Sequence, residues 1–151
     1  MKDYPGKPPR LDRFFREHPI FFCTLTTLDR QAILANDMVH GILLDHARRS
    51  ARRGVAWYGR YVIMPDHMHL FIRPAQPHRL GLLLGRFEQR VTMAIGRPGK
   101  VWQPGLFDHV LRSPDSYEQK WAYVRENPVR AGLVPRPEDW PYQGEIDRLE
   151  F

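Results

Sequence analysis

Only Pro65 and Asp66 separate two strand-like runs, and that leaves the chain little choice of architecture. Residues 55–64 and 67–73 are apolar, aromatic and β-branched, the composition of strands. Pro and Asp suit a tight turn. A connection that short cannot cross over to a parallel neighbour, so the two runs must form an antiparallel hairpin.

The rest of the chain arranges itself around that hairpin. Residues 20–26, Ile20-Phe21-Phe22-Cys23-Thr24-Leu25-Thr26, read as a buried strand. Asn36 or Asp37 can cap a helix that places Val39, Ile42, Leu43, His46, Ala47 and Ala51 on one face. Its end carries Arg48, Arg49, Arg52 and Arg53, cations that complement the helix dipole, before Gly54 at the left-handed cap position. A second helix is expected over 80–95, with Leu80, Leu84, Phe87, Val91 and Ile95 as its apolar stripe. Residues 101–110 contain a Gly-interrupted strand. Ser113 then caps a third helix that opens on Pro114 and stops near Asn127, because Pro128 disfavours helical geometry in the residue before it.

The order is strand, helix, strand, strand, helix, strand, helix. It predicts an α+β protein with the ferredoxin-like split βαβ topology: an antiparallel sheet, helices on one face, and an added C-terminal helix and irregular tail. Residues 1–12 form a basic, Pro-rich arm, 13–135 the folded domain and 136–151 the tail.

The 151 residues carry a net charge of +6, and 19 of the 23 basic side chains are Arg. Arg grips phosphates and base edges through two parallel bonds, so a polyanionic partner is expected. High genomic GC content would also enrich Arg, without any function. No apolar run is long enough to span a membrane. Cys23 is the only cysteine, which excludes an internal disulfide and makes a reducing cytoplasm the default.

His67 and His69 stand two apart on a strand and therefore share a face, while Met68 and Leu70 turn to the other. Two neutral imidazoles so placed can hold one divalent ion. The plain alternative is a solvated or stacked pair in a hairpin. Without a cluster of Cys or further His nearby, an open Mg²⁺ or Mn²⁺ site fits better than a closed zinc site. On the third helix, Tyr117, Trp121 and Val124 form the buried stripe, and Tyr123 shares the polar side with Lys120 and Asn127. Tyr123 is either an amphipathic surface residue or the nucleophile of a cleft. Asn127, one turn on, can offer an amide oxygen.

Three segments together resemble the REP-associated tyrosine transposases, in the single-tyrosine branch of the His-hydrophobe-His nucleases. They are Tyr61-Val62-Ile63-Met64-Pro65-Asp66-His67-Met68-His69-Leu70, Val101-Trp102-Gln103-Pro104-Gly105-Leu106-Phe107-Asp108-His109-Val110-Leu111-Arg112 and Tyr123-Val124-Arg125-Glu126-Asn127-Pro128-Val129-Arg130-Ala131-Gly132-Leu133-Val134. The resemblance runs from about residue 10 to 142. It implies metal ligands at His67 and His69 and a nucleophile at Tyr123. Asn127 falls where relatives of the wider branch complete the metal site with Gln. It further implies a cytoplasmic, nucleoid-associated enzyme, monomer or homodimer, that uses Mg²⁺ or Mn²⁺. Such an enzyme cleaves and rejoins single-stranded DNA beside palindromic hairpins through a 5′-phosphotyrosine. Arg48, Arg49, Arg52, Arg53 and Arg130 are the candidate DNA contacts. The alternative is a non-catalytic ferredoxin-like module that binds single-stranded nucleic acid. Because protonated imidazole cannot bind metal, cleavage is expected to fall below about pH 6.

Overall fold

A computed structural model describes residues 18–151; the N-terminal arm lies outside them. The strands are β1 (Ile20–Thr26), β2 (Ala56–Ile63), β3 (His67–Pro74), β4 (Phe107–Leu111) and β5 (Gln143–Glu145). The helices are α1 (Asp37–Arg52), α2 (Leu80–Ile95), α3 (Pro114–Val124) and a single turn, α4 (Asn127–Arg130). One sheet has the order β4-β1-β3-β2-β5, with every neighbouring pair antiparallel. Its first four strands have the ferredoxin-like order, so the predicted fold class holds.

Alternation along the strands builds two cores. Cys23 and Leu25 of β1 and Met68, Leu70 and Ile72 of β3 face α1 and α2, which cover them with Val39, Leu43, Ala47, Leu84, Phe87 and Val91. Ile20, Phe22 and Phe71 face the other way, against Tyr117 and Val124 of α3. α1 and α2 therefore share one face and α3 takes the other. Capping follows the sequence. The Asn36 side chain accepts from Val39 N, Gly54 has φ 68°, and Ser113 and Ser116 close a capping box on α3.

Two expectations are corrected. The third helix does not run through to Asn127. It ends at Val124, the chain turns through Arg125 and Glu126, and a fresh turn starts at Asn127 with Pro128 in its first positions. Proline has no N–H to continue the earlier ladder but is well suited to starting a new one. The tail is also not irregular throughout. β5 extends the sheet at β2, Trp140 Nε1 donates to the Ile63 carbonyl at 2.9 Å, and Leu149 is buried in the second core.

The tail locks onto a bulge in β2, where pairing with β3 shifts between Tyr58 and Tyr61. Ile146 N donates to Gly59 O and Asp147 N to Tyr58 O. A β-carbon on Gly59 would lie 2.7 Å from Leu149 Cδ1 and 2.8 Å from the Tyr117 hydroxyl. Such overpacking typically costs about 1–3 kcal/mol. Gly59→Ala is therefore expected to lower Tm by several degrees in a thermal melt and to expose the tail to protease. An unchanged Tm would show that Leu149 yields freely.

Candidate nuclease site

The hairpin delivers both histidines to the face that α3 covers. In the β1–β3 register, Thr24 pairs with His69 and Thr26 with His67. The two rings lie 4.9 Å apart at 75°. Each is held through Nδ1. His67 Nδ1 is 2.7 Å from Asp66 Oδ1, and His69 Nδ1 is 3.0 Å from Thr24 Oγ1. An ionised carboxylate can only accept, so the His67 proton sits on Nδ1 and its Nε2 keeps a lone pair. Asp66 is itself fixed by Arg30 at 2.9 Å. Burial opposes ionisation of Asp66, but the bond and charge of His67, with the charge of Arg30, hold its pKa below the usual carboxylate range.

His69 stacks on Phe22, with centroids 5.1 Å apart and planes at 19°. Burial first, then the charges of His67, Lys120 and Arg130, pull its pKa down to about 3. A neutral imidazole is the ligand form, so at His69 the proton competes with a cation only in strong acid. The acid limit expected near pH 6 is displaced downward at this residue.

α3 lies over the same face. Tyr117 and Trp121 meet Phe71 edge-on at 4.8 and 6.2 Å, and Lys120 Nζ stands 5.1 Å over the Phe22 ring that carries His69. In the last turn of α3, Tyr123 is 65% exposed. The Arg130 guanidinium lies 4.3 Å over its ring and donates to the Tyr123 carbonyl and to Asn127 Oδ1. Tyr123, Asn127 and Arg130 thus form one cluster, and Arg130's charge reaches His69. The phenol touches neither imidazole. The Asn127 oxygen is occupied by Arg130, which a direct role on a metal would have to displace.

Beside the histidines opens a cleft of about 290 Å³, lined by Thr24, Thr26, Gln103, Pro104, Gly105 and Leu106. Among the described residues no group of three His, Cys, Asp or Glu gathers to hold a metal. Two free Nε2 atoms beside an open cleft fit a partly solvated ion that shares its coordination with substrate. The four arginines of the α1 end are elsewhere. Val55 N bonds Ser50 O, which ties that end to the start of β2, opposite the hairpin turn. Sequence reading placed Lys120 on the Tyr123 side of the helix without a role and missed Thr24 and Phe22, although the alternation of β1 already puts those two on one face.

The free protein's pH response follows from buried groups of opposite sign. His46, chiefly through burial, is pulled down to about 4, and His69 to about 3, whereas burial pushes Glu88 up to about 7. Below pH 6.5 the unfolded chain binds two histidine protons that the folded chain refuses, which destabilises the fold as pH falls. Between about 4.5 and 7 the folded chain holds one extra proton on Glu88, which acts in the opposite direction. The net expectation in metal-free buffer is a falling Tm from pH 6.5 to 4.5, and a steeper fall in Glu88→Gln. A Tm that rises over that window would contradict the assignment.

Sheet order, paired imidazoles and the overlying tyrosine turn define a ferredoxin-like α+β protein with a His-hydrophobe-His strand. The resemblance read from the sequence holds across the chain: it is similar to the REP-associated tyrosine transposases. The Escherichia coli (strain K12) REP-associated tyrosine transposase is 25% identical over 132 residues, covering 86% of this chain and 78% of that protein. A putative REP-associated tyrosine transposase of Haemophilus influenzae (strain ATCC 51907 / DSM 11121 / KW20 / Rd) is 22% identical over 149 residues, covering 86% and 81%. No family model matches. Among solved structures, a REP-associated tyrosine transposase bound to a REP hairpin superposes with a TM-score of 0.68 at 23% identity, over 95% of this chain and 82% of that one. A putative transposase from Deinococcus radiodurans R1 gives 0.51 at 18% identity, over 83% and 97%. Both structures share the fold.

Proposed function

We propose that this protein is a transposase that cuts and rejoins single-stranded DNA beside palindromic hairpins, through a 5′-phosphotyrosine on Tyr123. One observation carries the reading. His67 and His69 are each tied down through Nδ1, which leaves both Nε2 atoms open on the face beneath the tyrosine-bearing helix. The similar transposases, one of them bound to a REP hairpin, support hairpin-bearing DNA as the partner.

An Mg²⁺ or Mn²⁺ ion held by His67 and His69, with Asn127 once Arg130 releases it, would polarise the scissile phosphate. The chain's own groups do the rest. Asp66 and Thr24 fix the imidazoles, and the cleft beside Thr24 and Thr26 receives the strand. The Tyr123 oxygen attacks phosphorus as its proton leaves. The phosphorus–O3′ bond breaks, and the departing oxygen takes a proton to become a 3′-hydroxyl. Lys120 and Arg130 offset the charge gathering on the phosphate. The new ester conserves the bond, so another 3′-hydroxyl can reverse the attack and join strands. Among the described residues no helix is long and apolar enough to cross a membrane. That is compatible with work at the nucleoid, as monomer or homodimer.

The Arg130 bond to Asn127 favours a second reading, in which the protein holds hairpin DNA without cutting it. Incubation with labelled hairpin DNA and Mn²⁺ separates the two. A denaturant-resistant protein–DNA adduct that chelator prevents is the expected result. Chelator-insensitive binding, with no adduct at any divalent ion tried, would leave only the binding module.

A further inference from the structure

A second opening lies away from the histidines, on the other face of the sheet. It is a cavity of about 400 Å³ between the end of α1, the start of β2 and the first turns of α2. The eight residues of β3 separate the two ends of the hairpin by roughly 20 Å. Five arginines line this cavity and no acidic residue does. Arg49 and Arg90 both pair with Asp45, at 3.1 and 2.7 Å. Arg53, Arg79 and Arg86 have no carboxylate partner among the described residues, and all three are exposed.

The floor is apolar. Val55 and Leu82 are left 37% and 47% exposed, next to the buried Leu83. Guanidinium groups crowded into one opening repel each other, and exposed apolar surface there is unfavourable in water. A single occupant relieves both costs if it offers a flat apolar body and a phosphate. That is a nucleotide, and a cavity of this size admits one but not a duplex. Arg planes also stack on bases and grip phosphate with two bonds.

We infer that this cavity binds an unpaired nucleotide of the DNA strand, its base on Val55 and Leu82 and its phosphate against Arg53, Arg79 and Arg86. The inference rests on the reading that the substrate is DNA with single-stranded flanks. It adds a second anchoring point on the face opposite the cleavage chemistry. A strand held at both would have to pass around an edge of the sheet, which would limit the flank lengths the protein accepts.

Leu82→Cys provides a local reporter, because the only native cysteine, Cys23, is fully buried. Maleimide should alkylate the new thiol readily. A mixed-sequence single strand at ten times its Kd should slow that reaction on the order of tenfold. In the same background, Arg53→Gln, Arg79→Gln and Arg86→Gln together should abolish protection and lower the salt slope of binding by roughly 0.7, the amount for one phosphate contact on a single strand. Arg97→Gln with Arg112→Gln, two exposed residues outside the cavity, should leave protection in place. No protection by single strands overturns the proposal. So does protection by a free deoxynucleoside triphosphate that strands cannot reproduce. Scoring the Tyr123 adduct on the same preparations keeps the two readings apart: protection without adduct removes only the cleavage reading, and adduct without protection removes only this site.

Discussion

Tyr123→Phe is expected to eliminate the covalent protein–DNA adduct and to lower strand cleavage by on the order of 10⁴-fold or more, with the fold untouched. The expectation follows from what the hydroxyl does in the free protein. Tyr123 is exposed, its ring is covered by Arg130, and the contacts that hold the turn go to its main-chain carbonyl and to Asn127. Removing one oxygen at a surface site should change stability by no more than about 0.5 kcal/mol. Loss of activity can then be assigned to chemistry rather than to folding. Hairpin binding should survive, because phosphate contacts do not require the phenol. Thermal melts, gel-shift titrations and adduct trapping on the same preparation give three independent numbers. Retained cleavage with retained adduct would move the nucleophile to another residue. Retained cleavage without adduct would make water the attacking group.

The variant also probes the distance between phenol and imidazoles. The two parts lie on one face but do not touch, so the proposed attack would require the α3–α4 turn to shift or the DNA to bridge the gap. Arg130 is the residue to watch. It clasps both Tyr123 and Asn127, and an incoming phosphate competes for the same guanidinium. Substrate could thus loosen the turn by offering Arg130 a better partner.

How far the sequence revealed all this depends on the range of each interaction. Alternation is local, so His67 and His69 could be placed on one face and Met68 and Leu70 on the other before any coordinates. The Asn36 cap and the Gly54 stop are local too, and α1 begins and ends by them. The break after Val124 was half legible. Pro128 marked a boundary, but whether a new turn would start there depends on Glu126 and Asn127 accepting from the chain that follows, Arg130 N and Ala131 N. The His-ring partners were legible only where adjacent, as at Asp66; Thr24 lies 45 residues away and needs the β1–β3 register. Least visible was the tail. Residues 143–145 have neither strong alternation nor β-branched side chains, and they become a strand because the free edge of β2 offers them partners.

The largest stability effect is expected where that tail is fastened. Arg73 shares the histidine face at the far end of β3 and is 1% exposed, the largest fully buried side chain among the described residues. Its Nε donates to the His18 carbonyl at 2.8 Å and its Nη2 to the Glu150 carbonyl at 2.5 Å, which joins the two ends of the described chain through one guanidinium. Burial lowers its pKa to about 10, so it stays charged at neutral pH and its hydrogen bonds are charge-assisted. Arg73→Met keeps much of the volume but leaves both carbonyls without these donors, at a cost of roughly 2–5 kcal/mol. For a chain of this length that is a fall in Tm of about 5–15 °C. Arg73→Lys should recover little, since an ammonium cannot reproduce the fixed fork that spans the two carbonyls. Because Leu149 and Phe151 pack into the core shared by Val62 and Phe71, release of the tail should also loosen the floor beneath His69. The variant should therefore be cut early by protease near residue 146 and bind hairpin DNA more weakly than its Tm alone would explain. A Tm within 2 °C of the parent would mean that the sheet holds without the clasp, and that β5 and the Trp140 bond to Ile63 suffice to keep the tail in place.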